Sequence, residues 1–299
     1  MEVKATMGHS VKLFRSAGRI FALLIAVLAA QEAMPAELEP RTLKAWETYV
    51  TLTEQRIAAE LEEGHRFLVT DFLGETESQA ARALHRKGQV YVGKMKTAEE
   101  AGQEIQLNAG MIHHWVGSIF IPDVNLDSLI QWFQDYDRHE QYFQEVDESK
   151  LLSQEGPTFR IFFRLRRKKI ITVVYNTEHT AVYRQHDASR VSSRSFTTKI
   201  AQLEDPGTSS EKEKPMGNDS GYLWRLNSYW RFQEVDGGVV VECESISLSR
   251  GIPFMLGWLI KGYVESVPRE SLQNTLVSIR EGINNTVRPG VSEPAFVEN

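Results

Sequence analysis

Two alternating runs joined by a tight turn constrain this chain more than any other feature in it. Residues 222–235 (YLWRLNSYWRFQEV) and 239–249 (VVVECESISLS) flank Asp236-Gly237-Gly238. Asp and Gly accept the positive φ of a short connection, so the stretch reads as an antiparallel hairpin. Side chains alternate faces along a strand. Trp224, Leu226, Ser228, Trp230 and Phe232 therefore share one face, and Arg225, Asn227, Tyr229 and Arg231 the other. With a two-residue turn, Glu242 and Glu244 fall on the side of Arg225 and Arg231, where opposite charges on neighbouring strands attract. This charged face has two readings. It is either a lining that binds a ligand head group or a solvated ion-pair ladder outside a sheet whose Trp face packs inward. Exposed ion pairs are common and weak, which favours the ladder.

The rest of the chain supplies a context of mixed α and β elements. Leu43, Trp46, Val50, Ile57 and Leu61 fall on one face at helical spacing and predict a helix over 41–63. A short strand is expected over 67–72. A second helix, opened by Thr76 and Gln79 as a capping box, should run to Gly88. A β-like run follows at 89–92. Residues 115–121 read as a strand stopped by Pro122, and Asp123 or Asn125 caps a helix carrying Leu126, Leu129, Ile130 and Phe133. Asp137 with Glu140 starts another short helix. Strands are expected at 150–153, 159–166, 170–183 and 190–203, ahead of the hairpin. The polar stretch 205–220 lacks apolar residues to bury and reads as a flexible loop. Pro268 suits a first turn, and Leu272, Leu276, Ile279 and Ile283 form one stripe of a long terminal helix.

From residue 112 the order is strand, two short helices, antiparallel strands, then one long helix. Together with HHWVGSIFIP, WRLNSYWRFQEVDGGVVVECESISLSR and SVPRESLQNTLVSIR, this order resembles the START-like (SRPBCC, helix-grip) superfamily of lipid-transfer domains and polyketide cyclases, over about residues 112–288. The resemblance implies an α+β fold in which a curved antiparallel sheet wraps the C-terminal helix and holds an apolar ligand between them. Trp224 and Trp230 would then touch the cavity or its wall. The division expected is a signal peptide over 1–36, an N-terminal helical and short-strand extension over 37–110, the START-like domain over 111–288 and a disordered tail over 289–299.

The leader reading rests on Lys12, Arg15 and Arg19 ahead of the apolar run 20–30, which is too short to span a bilayer. Cleavage is expected near 29–36, giving a periplasmic or secreted protein. The candidate ligand-binding residues are Trp224, Arg225, Tyr229, Trp230, Arg231, Phe232, Glu242, Glu244 and Trp258. The last belongs to the apolar run 251–264, which would close the cavity, touch a membrane surface or form a plain buried helix. The chain shows no phosphate loop, dinucleotide fingerprint, nucleophile elbow or zinc-protease helix. The expected role is noncatalytic binding or transfer of a lipid or other hydrophobic small molecule, without cofactor. The alternative is a cyclase- or hydratase-like enzyme using Tyr229 and Glu244. A third reading is an envelope interaction protein with a filled core.

A net charge of −6 argues against a nucleic-acid partner. The cluster Arg164, Arg166, Arg167, Lys168 and Lys169 reads as a charged hairpin tip. His113 and His114 are adjacent in a strand and point to opposite faces, so they cannot chelate together. Asp135 and His139 share a helical face without further ligands and read as capping and surface polarity, so no metal is expected. Cys243 is the single cysteine, which rules out an intrachain disulfide.

Overall fold

The computed structural model describes residues 36–98, 102–168, 172–251 and 257–287. Residues 1–35 and 288–299, where a signal peptide and a disordered tail are expected, lie outside the described residues. The strands are β1 (Ala36–Glu37), β2 (Tyr91–Lys94), β3 (Gly110–Pro122), β4 (Val146–Glu155), β5 (Thr158–Lys168), β6 (Thr172–Asp187), β7 (Arg190–Glu204), β8 (Lys212–Glu213), β9 (Asn218–Asp219), β10 (Arg225–Val235) and β11 (Gly238–Arg250). The helices are α1 (Pro40–Glu62), α2 (Glu75–His85), α3 (Leu126–Gln134) and α4 (Gly257–Val287), with 3-10 turns at Val69–Asp71 and Tyr136–Gln141.

One antiparallel sheet runs β2-β3-β11-β10-β7-β6-β5-β4, with β8 pairing the end of β7. Its long strands twist, and register shifts between β4 and β5 and between β6 and β7 bend it further, so it curls without closing. The β10–β11 turn is built on Gly237 at φ 80° and Gly238, where a Cβ would lie 2.1 Å from the Ile121 carbonyl oxygen of β3.

Helix α4 lies along the concave face. Leu272, Leu276, Ile279 and Ile283 bury against Ile119, Val241 and Phe232. Gly117 makes that approach possible, since a Cβ there would sit 2.7 Å from Leu276 Cδ1. Helix α3 closes one end of the trough. Asn125 caps it by accepting from the Ser128 amide at 2.8 Å, and Phe133 meets Trp230 and Phe232 with ring centroids 4.9 and 5.1 Å apart.

The N-terminal segment covers the convex face. Trp46, Tyr49 and Ile57 of α1 pack on Trp224, Tyr229, Ile246 and Leu248. Phe67 and Leu68 pack on Val240, and Val69, Ala81 and Tyr91 on Val116. The hairpin's charged ladder is therefore outside the trough, as one reading held, but it is buried instead of solvated. Arg231 is 1% exposed. It donates to the Phe67 carbonyl at 2.7 Å and pairs with Glu60 at 2.5 Å. Glu244 accepts from Arg56 and meets His114 Nε2 at 2.6 Å. Glu242 accepts from the amides of Val69 and Thr70, the latter at 3.0 Å.

Three expected elements differ. Residues 67–72 hold the 3-10 turn Val69–Asp71 in place of a strand, because Asp71 and Glu242 accept the local amides that a strand partner would otherwise have taken. The stretch 205–220 is anchored: the Ser220 amide donates to Gln202 at 2.9 Å, and Trp224 Nε1 donates to the buried Asp219 at 3.2 Å. The terminal helix begins at Gly257 and runs through Pro268. A proline removes one backbone donor and crowds the preceding turn, which the many other bonds of a 31-residue helix carry.

The convex network generates two predictions. Arg231→Met leaves Glu60 held by Arg56 through its other oxygen and takes the donor from the Phe67 carbonyl. It should cost about 3 kcal/mol in denaturant melts, while adding Glu60→Leu should restore part of the loss. Burial pushes the Glu242 carboxyl up to about 7 from 4.5, against the lowering pull of Arg231 and the Thr70 amide. Between those values the folded protein holds a proton that the unfolded chain releases, so stability falls as pH rises through the window, by about 3 kcal/mol. In Glu242→Gln that slope should flatten in melts between pH 4.5 and 7.5.

Candidate functional site

Between the concave sheet and α4 lies a cavity of about 420 Å³, within the ordinary range for small-molecule sites. Phe133, Tyr136, Ile161 and Trp230 line it beneath α3. Phe163, His139 and His179 line its middle, with Leu272, Thr275 and Ser278 of α4 across from the sheet. Towards Gly251 and Pro268 the lining becomes Tyr175, Tyr222, Leu226, Arg166, Arg167 and Arg250. The wall opposite the helix is made of small polar side chains. Ser228 of β10 is paired with Ser245 of β11 on one side and Ser195 of β7 on the other, giving a hydroxyl row across three adjacent strands. Ser193, Cys243, Ser247 and Ser249 extend it. These residues sit on central strands beneath a helix, where bulky apolar side chains would fill the core. Short ones leave space.

The interior is electrically quiet. Burial lowers the imidazoles of His139 and His179 to about 4, so both are neutral at pH 7. Burial also raises the Cys243 thiol and the phenols of Tyr136 and Tyr183, whose oxygens lie 2.6 Å apart. His113 Nε2 meets Ser249 Oγ at 2.9 Å. Of the charged lining residues, Glu145, Arg166 and Arg167 are ion-paired. Glu145 accepts from Arg167, from Ser271 Oγ at 2.7 Å and from Asn274 at 3.2 Å, tying α4 to the segment before β4. Arg166 meets Asp147 at 2.6 Å, Arg167 meets Glu270 at 3.2 Å and Arg164 meets Glu211 at 2.8 Å. The three arginines of the basic cluster are thus paired within the fold; Lys169 lies outside the described residues.

Of the residues singled out in the hairpin, Trp230 lines the cavity and Phe232 supports its end through Phe133. The others face away. Trp224 precedes β10, so the alternation does not reach it, and it packs beneath α1. Arg225 donates to the Trp224 carbonyl at 2.7 Å. Tyr229 donates to Glu54 at 2.8 Å. Arg231, Glu242 and Glu244 belong to the convex network, so none of them reads a ligand head group in the cavity. The main chain at Trp258 is in the first turn of α4, but its side chain lies outside those described, as do residues 252–256 of the apolar run.

His113 and His114 do point to opposite faces, one to Ser249 and the cavity, the other to Glu244. His139, expected at the surface, is 4% exposed in an aromatic nest with Trp132, Phe143 and Phe163. Among the described residues no group of three or more His, Cys, Asp or Glu assembles as a metal site. The serine wall is the functional feature that sequence reasoning missed. Its signal was present: residues 243, 245, 247 and 249 are Cys-Ser-Ser-Ser on one face of a strand whose other face carries Glu, Ile and Leu.

A curved sheet gripping one long helix, with two short helices at the end of the trough, is the helix-grip arrangement expected from the order of elements. The fold is similar to that of a STAR-related lipid transfer protein fragment from Xanthomonas axonopodis (16% identity, 64% of this chain and 98% of that one, TM-score 0.40). It is also similar to the ZhuI aromatase/cyclase from Streptomyces sp. R1128 (9% identity, 61% and 100%, TM-score 0.39). A third likeness is to the lipid transfer and protein localization domain of human StarD13 (9% identity, 71% and 98%, TM-score 0.39). No protein-family model and no curated protein matches the chain. The fold assignment rests on the element order and layering described above.

A wall that faces open space tolerates bulk. Ser228→Leu should keep stability within about 1 kcal/mol of the parent in urea melts, against the roughly 1–3 kcal/mol loss expected of an overpacked core. Trp230→Ala should lose about 3–5 kcal/mol.

Proposed function

We propose that this protein is a noncatalytic binding or transfer protein that holds one hydrophobic small molecule or lipid in the helix-grip cavity. The observation that carries the reading is the cavity itself: about 420 Å³ with aromatic and aliphatic side chains along its length, kept open by short residues on central strands. Its size suits a compact polycyclic or single-chain molecule better than a two-chain lipid. A filled core, which an interaction-only role would favour, is not what the fold contains. A cyclase- or hydratase-like enzyme finds less support, because Tyr229 and Glu244, the polar pair it would use, lie on the convex face.

The reading also covers where the protein works and how it loads. The basic flank and apolar run of residues 12–30 support export. A cut after Ala29 keeps β1 whole against β9, whereas one after Ala36 divides it, which supports the earlier site. The apolar run 251–264 starts at Gly251, which lines the cavity, and is followed along the chain by Val267 and Pro268, which line it too; that proximity in sequence supports a route by which a ligand arrives from a membrane surface. Among the described residues no helix is long and apolar enough to cross a membrane.

Native mass spectrometry of the exported protein, followed by solvent extraction, tests the reading. The expected result is an N-terminus near residue 30 and a single apolar adduct that is lost or much reduced in Ser228→Leu. An adduct-free protein that takes up no apolar molecule would overturn the carrier role.

A further inference from the structure

Two buried histidines in the cavity have a hydrogen-bonding state fixed by their neighbours. His139 and His179 flank the ring of Phe163, the first stacked at 5.7 Å and 11°, the second edge-on at 5.4 Å and 70°. His139 Nε2 lies 3.1 Å from the Phe133 carbonyl oxygen. A carbonyl only accepts, so this nitrogen carries the hydrogen. His179 Nε2 lies 3.0 Å from Thr177 Oγ1, and the single hydroxyl hydrogen of Thr177 goes to the Phe163 carbonyl at 3.0 Å. Thr177 therefore accepts, and His179 Nε2 also carries its hydrogen. With both rings neutral, as burial requires, Nδ1 of each is a lone-pair acceptor. Of the charged groups of the lining, Glu145 is occupied with Arg167 and Arg166 with Asp147.

We propose that His139 and His179 are specificity-determining residues, and that the cavity selects neutral apolar molecules carrying a hydroxyl, alcoholic or phenolic, whose hydrogen is donated to one of these Nδ1 atoms. The inference rests on the carrier reading and narrows it. A buried acceptor left without a donor is unfavourable, so an otherwise identical ligand that lacks the hydrogen is rejected by the site. The serine row Ser195, Ser228 and Ser245 supplies hydroxyls on the sheet wall that can both donate and accept, and so adds tolerance for further oxygen atoms. An anionic head group would compete with the carboxylates of Asp147, Glu145 and Glu270 for Arg166 and Arg167, and with the Ser220 carbonyl for Arg250.

The test compares 2-naphthol with 2-methoxynaphthalene by isothermal titration calorimetry on the extracted, mature protein. The two probes share ring system and oxygen, and only the naphthol donates. The expected result is about ten-fold or greater preference for 2-naphthol in the parent. The ratio should fall towards one in the His139→Phe/His179→Phe double variant, with affinity for the ether unchanged. Phenylalanine keeps the ring and its packing against Phe163. Equal binding of both probes by the parent overturns the hydroxyl selection while leaving the carrier role standing. Preference retained in the folded double variant overturns the assignment to these histidines. If the double variant does not fold, the single variants His139→Phe and His179→Phe decide, at least one being required to lower the ratio. Binding of neither probe overturns the hydroxyl selection, and the carrier reading then falls only if native mass spectrometry also finds no apolar adduct.

Discussion

The hairpin β10–β11 sorts two incompatible chemistries onto opposite faces of one sheet, and the molecule is arranged around that sorting. On the convex side Arg231, Glu242 and Glu244 are buried and must be satisfied by Glu60, Arg56, His114 and the amides of Val69 and Thr70. On the concave side Cys243, Ser245 and Ser247 leave space beneath α4. The side-chain period of a strand is two, so a slip of one residue would place carboxylates in the cavity and serines against α1. The network therefore fixes register as well as holding α1. An uncompensated carboxylate in an apolar trough is costly enough to exclude the slipped pairing.

The cavity has a graded interior that follows from the same strands. Beneath α3 the rings of Phe133, Trp230 and Phe232 pack edge-on or stacked, a solid end that carries much of the local burial. Further along, the serines and neutral histidines replace bulk with short polar groups, and only beyond Leu165 do paired charges appear. A molecule entering would leave paired ions, pass hydroxyls and end against aromatic rings. Desolvation favours the apolar part of a ligand going deepest, while hydrogen bonding fixes its orientation.

Much of the fold was legible in the sequence because periodicity reports which residues share a face. The hairpin turn, the strand ending at Pro122, the Asn125 cap and the stripe from Leu272 to Ile283 follow from local rules. What covers each face did not follow. Arg231 and Glu60 are 171 residues apart, and nothing in either neighbourhood announces the other. Exposed ladders are the common case, so the charged face read as solvated. The same gap hid His139, whose neighbours Asp135 and Glu140 suggest a surface while Trp132, Phe143 and Phe163 enclose it. Composition misled at 205–220, where polar bonds through Gln202 and Asp219 anchor a segment with almost nothing apolar to bury.

The N-terminal extension explains how the sheet can leave its concave side unfilled. Space beneath α4 forfeits dispersion contacts and apolar burial that a filled core would provide. The convex side makes up for this with Trp46, Tyr49 and Ile57 over Trp224 and Leu248, with Phe67 and Leu68 over Val240, and with Val69 and Ala81 over Val116. A one-sided sheet with an empty trough would have only the margins of α3 and α4 to hold it. Covered on its outer face, the same sheet can keep its inner face open, and β2 of the extension continues that sheet beside β3.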